Sequence, residues 1–299
     1  MFAQPSDSVV TVVVEPASPG FIVDLFRRLR QEPLGVLGLT LVLLVVFCAL
    51  MARWIMPYNP DKIKVVERFD MPSAIHIFGT DSLGRDVLSR VIAGSQIALG
   101  VGVFSIAVAL IFGIILGLLA GYGPRWLDNF LLLLFDSVYS FPTVMLGLTV
   151  VTLFGPSLET LISVVITIQT PGYARLIRTA TLSAKTSEYI LAIRSLGGSP
   201  WRILLIHILP NIIGPVLIIA SMDIPSVITL EAGLTYLGMG IPPPAPSWGR
   251  ILQDGFDNIR DAPWIVIAGG IPLIFTTLGF TFLGESLRDL LDPKLRRIV

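Results

Sequence analysis

Asp136, Asp223 and Glu231 stand inside or beside long apolar runs of the chain, where a charge is costly. A carboxylate at the centre of a membrane helix costs about 2.5 to 3.5 kcal/mol on insertion scales, so each must face a cavity or a partner. The chemistry open to such groups is narrow: lining a path for a polar solute, relaying a proton, or tying two helices together. Asp136 lies close behind Asp128, which favours the tying role. Asp223 lies between Pro215 and Pro225, where freed carbonyls are expected to loosen a helix, which favours a gating or cavity position. Glu231 follows near the end of a span.

Other chemistry is excluded by what the chain lacks. It has no G-x-x-x-x-G-K-[ST] and no Gly-Lys dipeptide, so no P-loop can cradle a nucleotide phosphate and any ATP belongs to another subunit. His76 and His207 stand apart, without H-E-x-x-H spacing or a carboxylate cluster, which argues against a metal site. Cys48 is the single cysteine and can form neither an intrachain disulfide nor a cysteine-based metal site. A G-x-S-x-G elbow is absent too. The expectation is a chain that catalyses nothing and holds no metal or cofactor. Its 21 basic and 21 acidic residues balance, leaving no field for nucleic acid.

The elements that must carry these residues are membrane helices, since 54% hydrophobic and 14% charged residues do not describe a water-facing surface. A hydrocarbon core about 30 Å thick needs roughly 20 helical residues. Six apolar runs qualify: 33–56, then 91–124 with its most apolar part at 97–120, 129–154, a run from 157 that continues past Arg175 with its arginines snorkelling, 203–222 and 262–284. An all-α polytopic fold follows, with an outer loop over 57–95, a core over 96–290 and a short tail at 291–299. The segments on the side of both termini carry thirteen of the 21 basic residues, which predicts an N-in, C-in topology. Residues 1–20 read as a disordered tail. Phe21, Ile22, Leu25, Phe26 and Leu29 share one face of an expected interfacial helix over 21–31. Gly113, Gly117 and Gly121 form a small-residue stripe that predicts close packing of another helix.

The inner segment 185–206 is the most informative part. Ser187 through Leu196 can form a short helix, Gly197-Gly198 can end it with a left-handed cap, and Ser199-Pro200 can restart a second helix as N-cap and first residue. Tyr189, Ile190, Ile193 and Leu196, mixed with Glu188 and Arg194, make a surface that suits a groove on another protein.

The run Glu188-Tyr189-Ile190-Leu191-Ala192-Ile193-Arg194-Ser195-Leu196-Gly197, with Trp201-Arg202-Ile203 and His207-Ile208-Leu209-Pro210-Asn211 after it, resembles the E-A-A…G…I-L-P loop of binding-protein-dependent ABC importer permeases. Leu191 stands where that motif has Glu and Ile193 at its second Ala, while Ala192, Gly197 and Leu209-Pro210 match. The block Phe78-Gly79-Thr80-Asp81-Ser82-Leu83-Gly84-Arg85-Asp86-Val87-Leu88-Ser89-Arg90 and the pair Glu231 to Gly238 and Pro242 to Arg250 resemble the C-type permeases of the dipeptide, oligopeptide and nickel importers. Physically, Thr80-Asp81 can cap a short outer helix and the proline run can hold its loop extended.

The resemblance implies a type I ABC importer permease fold with a cytoplasmic coupling helix in a prokaryotic inner membrane. It implies as partners a homologous permease, two ATP-binding subunits that hold ATP and Mg, and an extracytoplasmic solute-binding protein. Small peptides are the first substrate class it suggests, with nickel complexes, haem and sugars occurring in the same family. With Leu191 in the acidic position, the hydrophobic face of the helix is expected to carry the docking. The competing reading is an ion-coupled secondary transporter using Asp136, Asp223 or Glu231; the absence of inverted repeats and the long inner loop weigh against it.

Overall fold

The computed structural model describes residues 29–291. The interfacial helix expected over 21–31, apart from its last three residues, and both tails apart from Leu291 lie outside them. The described chain is helical: α1 (Pro33–Ile55), α2 (Val87–Tyr122), α3 (Arg125–Tyr139), α4 (Thr143–Phe154), α5 (Leu158–Lys185), α6 (Glu188–Ser195), α7 (Pro200–Tyr236), α8 (Trp248–Asp257) and α9 (Pro263–Leu291).

Five of these helices are long and apolar enough to cross a membrane, and a sixth crossing arises if the bent pair α3 and α4 is one span. The run read as one helix over 129–154 is therefore broken, with its halves at 86°. Pro142 explains the break, because its ring disfavours helical geometry at Phe141 and it lacks the N–H that the turn before it would need.

The fifth span differs in the opposite sense. It does not stop at Met222 but runs on to Tyr236, carrying Pro215 and Pro225 inside a continuous helix. No loosened segment surrounds Asp223. Pro210 instead has its effect one turn earlier: with no N–H to offer, it is preceded by a π-helical turn over Ile203–Ile208 in which the Leu209 N–H reaches the Leu204 carbonyl.

α2 is the central element. Its 36 residues make a helix about 54 Å long, and the Asp86 carboxylate caps its start by accepting from the Ser89 N–H at 2.8 Å. The glycine stripe packs on α5: a Cβ at Gly113 would lie 2.5 Å from Tyr173 Cβ, one at Gly117 2.6 Å from the Ala174 carbonyl oxygen, and one at Gly121 2.7 Å from Thr181 Cβ. Only hydrogen fits there, so the two backbones approach as closely as membrane helices can. Around this seam Ile106, Ala109, Leu161, Ile177, Ile203 and Ile208 form the main apolar cluster.

The bundle has two distinct ends. One gathers the 57–86 loop, the 237–247 loop and α8, joined where Trp248 Nε1 donates to the Val91 carbonyl at 2.9 Å and Ser82 Oγ to Asp254 at 2.6 Å. The other gathers the start of α1, the end of α2, α6 and the end of α9; Lys185 Nζ reaches the Tyr122 carbonyl there at 3.3 Å.

Candidate functional site

The segment between α5 and α7 folds as a rigid elbow. α6 ends in two backbone bonds, from Gly198 N–H to the Ile193 carbonyl and from Gly197 N–H to the Arg194 carbonyl, each 3.0 Å. With Gly197 at φ +80°, this is the Schellman ending that favours glycine. Ser199 then caps α7 by accepting from the Arg202 N–H, with Pro200 as first residue.

The side chains of α6 divide between two faces. Ile190, 2% exposed, and the half-buried Ile193 turn inward to the cluster holding Ile203 and Ile208. That corrects the grouping of these two isoleucines with the outward surface: three residues apart on a helix, they share the inward face. Tyr189, Leu191 and Leu196 are exposed, Leu196 at 87%, beside the exposed Glu188, Ala192 and Arg194. Leu209 and Pro210 sit where the π turn passes into regular α-helix, and the next residue, Asn211, donates to the Tyr189 hydroxyl at 3.3 Å.

The three acids of the spans are dispersed. Asp136 on α3 pairs with Arg175 of α5, whose guanidinium also covers the Tyr139 ring at 4.8 Å. One helical turn on, Arg178 holds Asp128 with two bonds, the Nη2 bond 2.7 Å long. The arginines of α5 thus pair across to α3, each satisfied by a carboxylate within reach. Asp223 accepts from the Tyr173 hydroxyl at 2.8 Å, joining α7 to α5. Glu231 is wholly enclosed and accepts from Thr235 Oγ1 at 2.9 Å, beside the start of α8.

None of the three lines a cavity of about 660 Å³ that opens at the bend between α3 and α4 against α5 and α7. Its walls are mostly apolar, with Tyr139, Thr143, Gln169, Ser226 and Thr229 as polar points. Sequence reasoning missed these residues because it looked for charge; the usable signal was Pro142 in the middle of an apolar run.

The 57–86 loop also differs from expectation. His76 is buried between two carboxylates, with Nδ1 2.8 Å from Asp86 and Nε2 3.4 Å from Glu67, and is not isolated. Ten residues of chain folding back, not local spacing, bring them together. A hydrogen bond from Lys64 Nζ, 2.8 Å from Oε1, holds the Glu67 carboxyl below its ordinary value. Asp81 caps no helix; its side chain accepts from the Leu83 and Arg85 N–H groups at 2.9 Å and so closes a turn. The Pro242–Pro246 run likewise forms a turn, with a cis Pro243–Pro244 bond, in place of an extended strand. Among the described residues no group of three or more His, Cys, Asp or Glu is placed to hold a metal ion.

Residues 113–297 match the family described as binding-protein-dependent transport system inner membrane component, and residues 20–72 match the N-terminal TM domain of oligopeptide transport permease C. The chain is 35% identical over 273 residues to a dipeptide transport system permease protein of Alkalihalophilus pseudofirmus, covering 91% of this chain and 90% of the relative. It is 36% identical over 274 residues to a glutathione transport system permease protein of Pectobacterium atrosepticum, 91% of each chain. A di/tripeptide transport system permease protein of Pseudomonas aeruginosa is 36% identical over 265 residues, 87% of this chain and 88% of the relative.

Proposed function

The chain belongs to the family of binding-protein-dependent transport system inner membrane components, and from that premise we propose that it forms half of the membrane channel of an ATP-driven importer of small peptides. A homologous permease supplies the other half, two ATP-binding subunits hold ATP and Mg at the α6 end, and a solute-binding protein delivers from the α8 end. The relatives' names support peptides as cargo. The cavity beside the α3–α4 bend, apolar with scattered hydroxyl and amide groups, suits a cargo whose side chains vary, since it offers no single charge to select one.

One observation carries the coupling role: α6 is pinned to its own chain by Ile190 and Ile193 while Tyr189, Leu191 and Leu196 face away. A push on that outward face travels through Ile203 and Ile208 into α7, so closure of an ATPase dimer would move the elbow as a rigid body and reshape the cavity wall that α7 forms. The ion-coupled alternative finds no support. Asp136 is paired with Arg175 and Asp223 with Tyr173, Glu231 accepts from Thr235 through Oε1 while its Oε2 has no partner, and none of the three lines the cavity.

The test is reconstitution with the neighbouring permease, ATPases and solute-binding protein. ATP hydrolysis should rise when the binding protein is added, and the rise should vanish with Leu196→Asp. In a Cys48→Ser background, a cysteine replacing Ser199 should react with an impermeant thiol reagent only from the cytoplasmic side and one replacing Ser247 only from outside. Reversed labelling overturns the N-in, C-in topology.

A further inference from the structure

A second cavity, about 240 Å³, lies between the Asp81–Arg90 segment and α8. It is walled by three guanidiniums, Arg85, Arg90 and Arg250, and three carboxylates, Asp81, Asp254 and Asp257. Equal numbers do not mean equal availability. Asp81 accepts from two backbone N–H groups and from Arg85 Nε at 2.7 Å, with Arg90 Nε a further 3.5 Å away. Asp254 accepts from Ser82 Oγ at 2.6 Å and from the Ser82 N–H at 3.4 Å. Arg90 is turned to the Pro60 carbonyl at 3.1 Å and to Asp61 at 3.7 Å. Asp257 sits at the exposed rim, where solvent screens it.

Two cations keep donors free. Arg85 is only 9% exposed, yet it uses Nε alone; its two terminal nitrogens meet no acceptor among the described residues. Arg250, half-buried on α8, has no carboxylate partner there and engages Gln253 through one nitrogen. Neither guanidinium has a nitrogen that is both enclosed and without a partner, so these donors face the solvent of the cavity and can exchange water for an acceptor; the geometry of the fork matches a carboxylate held by two parallel bonds.

We propose that this cavity receives an Asp or Glu side chain of the docked solute-binding protein, with Arg85 and Arg250 closing on its carboxylate from two sides. The inference rests on the importer reading above, which brings that partner to the α8 end. The site also suits signalling: Arg85 is tied to the start of α2 through Asp81 and Arg90, and Arg250 lies on α8, whose Ser247–Trp248 start packs against α2 and beside Glu231 of α7. An acid seated between them bridges two elements that otherwise meet at Ser82–Asp254 and Trp248.

The experiment measures binding of the solute-binding protein encoded beside this chain to the nucleotide-free complex in nanodiscs, at low and high salt. Arg85→Gln and Arg250→Gln should each weaken binding about ten- to hundredfold and flatten its salt dependence. Arg250→Gln leaves the Asp81 turn intact, so it stands if Arg85→Gln proves unstable. Wild-type binding unchanged by Arg250→Gln and by a folded Arg85→Gln overturns the inference alone. A wild-type complex that neither binds the protein nor hydrolyses ATP faster in its presence overturns the importer reading, and the inference with it. Titration with succinate in the absence of the binding protein reads the other source of a carboxylate. Succinate binding that Arg250→Gln abolishes, with docking unaffected, would make this a free-solute site and overturn the docking assignment.

Discussion

Gly197 offers a clean perturbation because its role is purely conformational. A Cβ at this position would meet nothing within 4 Å, so any effect of a side chain comes from the backbone angle, φ +80°. Left-handed geometry costs an ordinary L-residue about 1 to 2 kcal/mol, least for Asn, whose short polar side chain tolerates it, and most for β-branched residues. That energy corresponds to roughly a five- to thirtyfold loss in the population of the intact elbow. Gly197→Asn, Gly197→Ala and Gly197→Val therefore form a graded series. Uptake and binding-protein-stimulated ATP hydrolysis in the reconstituted complex should fall in that order, while the assembled complex keeps its thermal midpoint, since the turn lies at the edge of the bundle. Normal coupling in Gly197→Val would refute the reasoning, and so would an Asn variant as defective as Val, because strain could then not be the cause.

Six further substitutions, one of them a control, test the faces of α6, the α2–α5 seam and the Asp223–Tyr173 pair. Leu196→Asp should release the ATPase subunits during purification without lowering the stability of the permease, whereas Ile190→Asp should lower its yield and melting temperature; the opposite pattern would mean the faces of α6 are misassigned. Gly117→Leu should cost about 1 to 3 kcal/mol in a denaturation assay by forcing α2 off α5, with Gly100→Leu, where a Cβ meets open space, as the silent control. Asp223→Asn and Tyr173→Phe should show a coupling energy of about 0.6 kcal/mol in a double-mutant cycle, rising to no more than about 1.7, and uptake by Asp223→Asn should keep its pH profile. Uptake abolished by Asp223→Asn would reinstate that carboxylate as a coupling site.

The parts of this architecture legible in the sequence were those written in local chemistry. Gly197-Gly198 and Ser199-Pro200 encode their own turn and cap, so the elbow between α5 and α7 could be read without a neighbour, and the apolar runs announced themselves by length. Features requiring a tertiary partner were lost. Pro215 and Pro225 read as loosening the helix, yet inside a bundle the carbonyls they free need not do so, and α7 continues through both. Pro142 went unremarked inside the run 129–154, yet there the helix breaks at 86° and the cavity lies beside the bend. The sites of charge were the least legible. Asp136 and Arg175 are 39 residues apart, Ser82 and Asp254 are 172 apart, and no spacing rule links either pair. Ile190 and Ile193 show the same limit at short range: helical periodicity puts them on one face, but only packing says that this face looks inward.

The central claim is that nucleotide closure at α6, and not an ion gradient, drives movement through this chain. Uptake of a labelled dipeptide into proteoliposomes tests it directly, with the complete complex, ATP on the ATPase side and the solute-binding protein on the other. Uptake should require both and should continue at full rate after ionophores collapse the proton and sodium gradients. Uptake that proceeds without ATP and stops on addition of the ionophores would contradict the account.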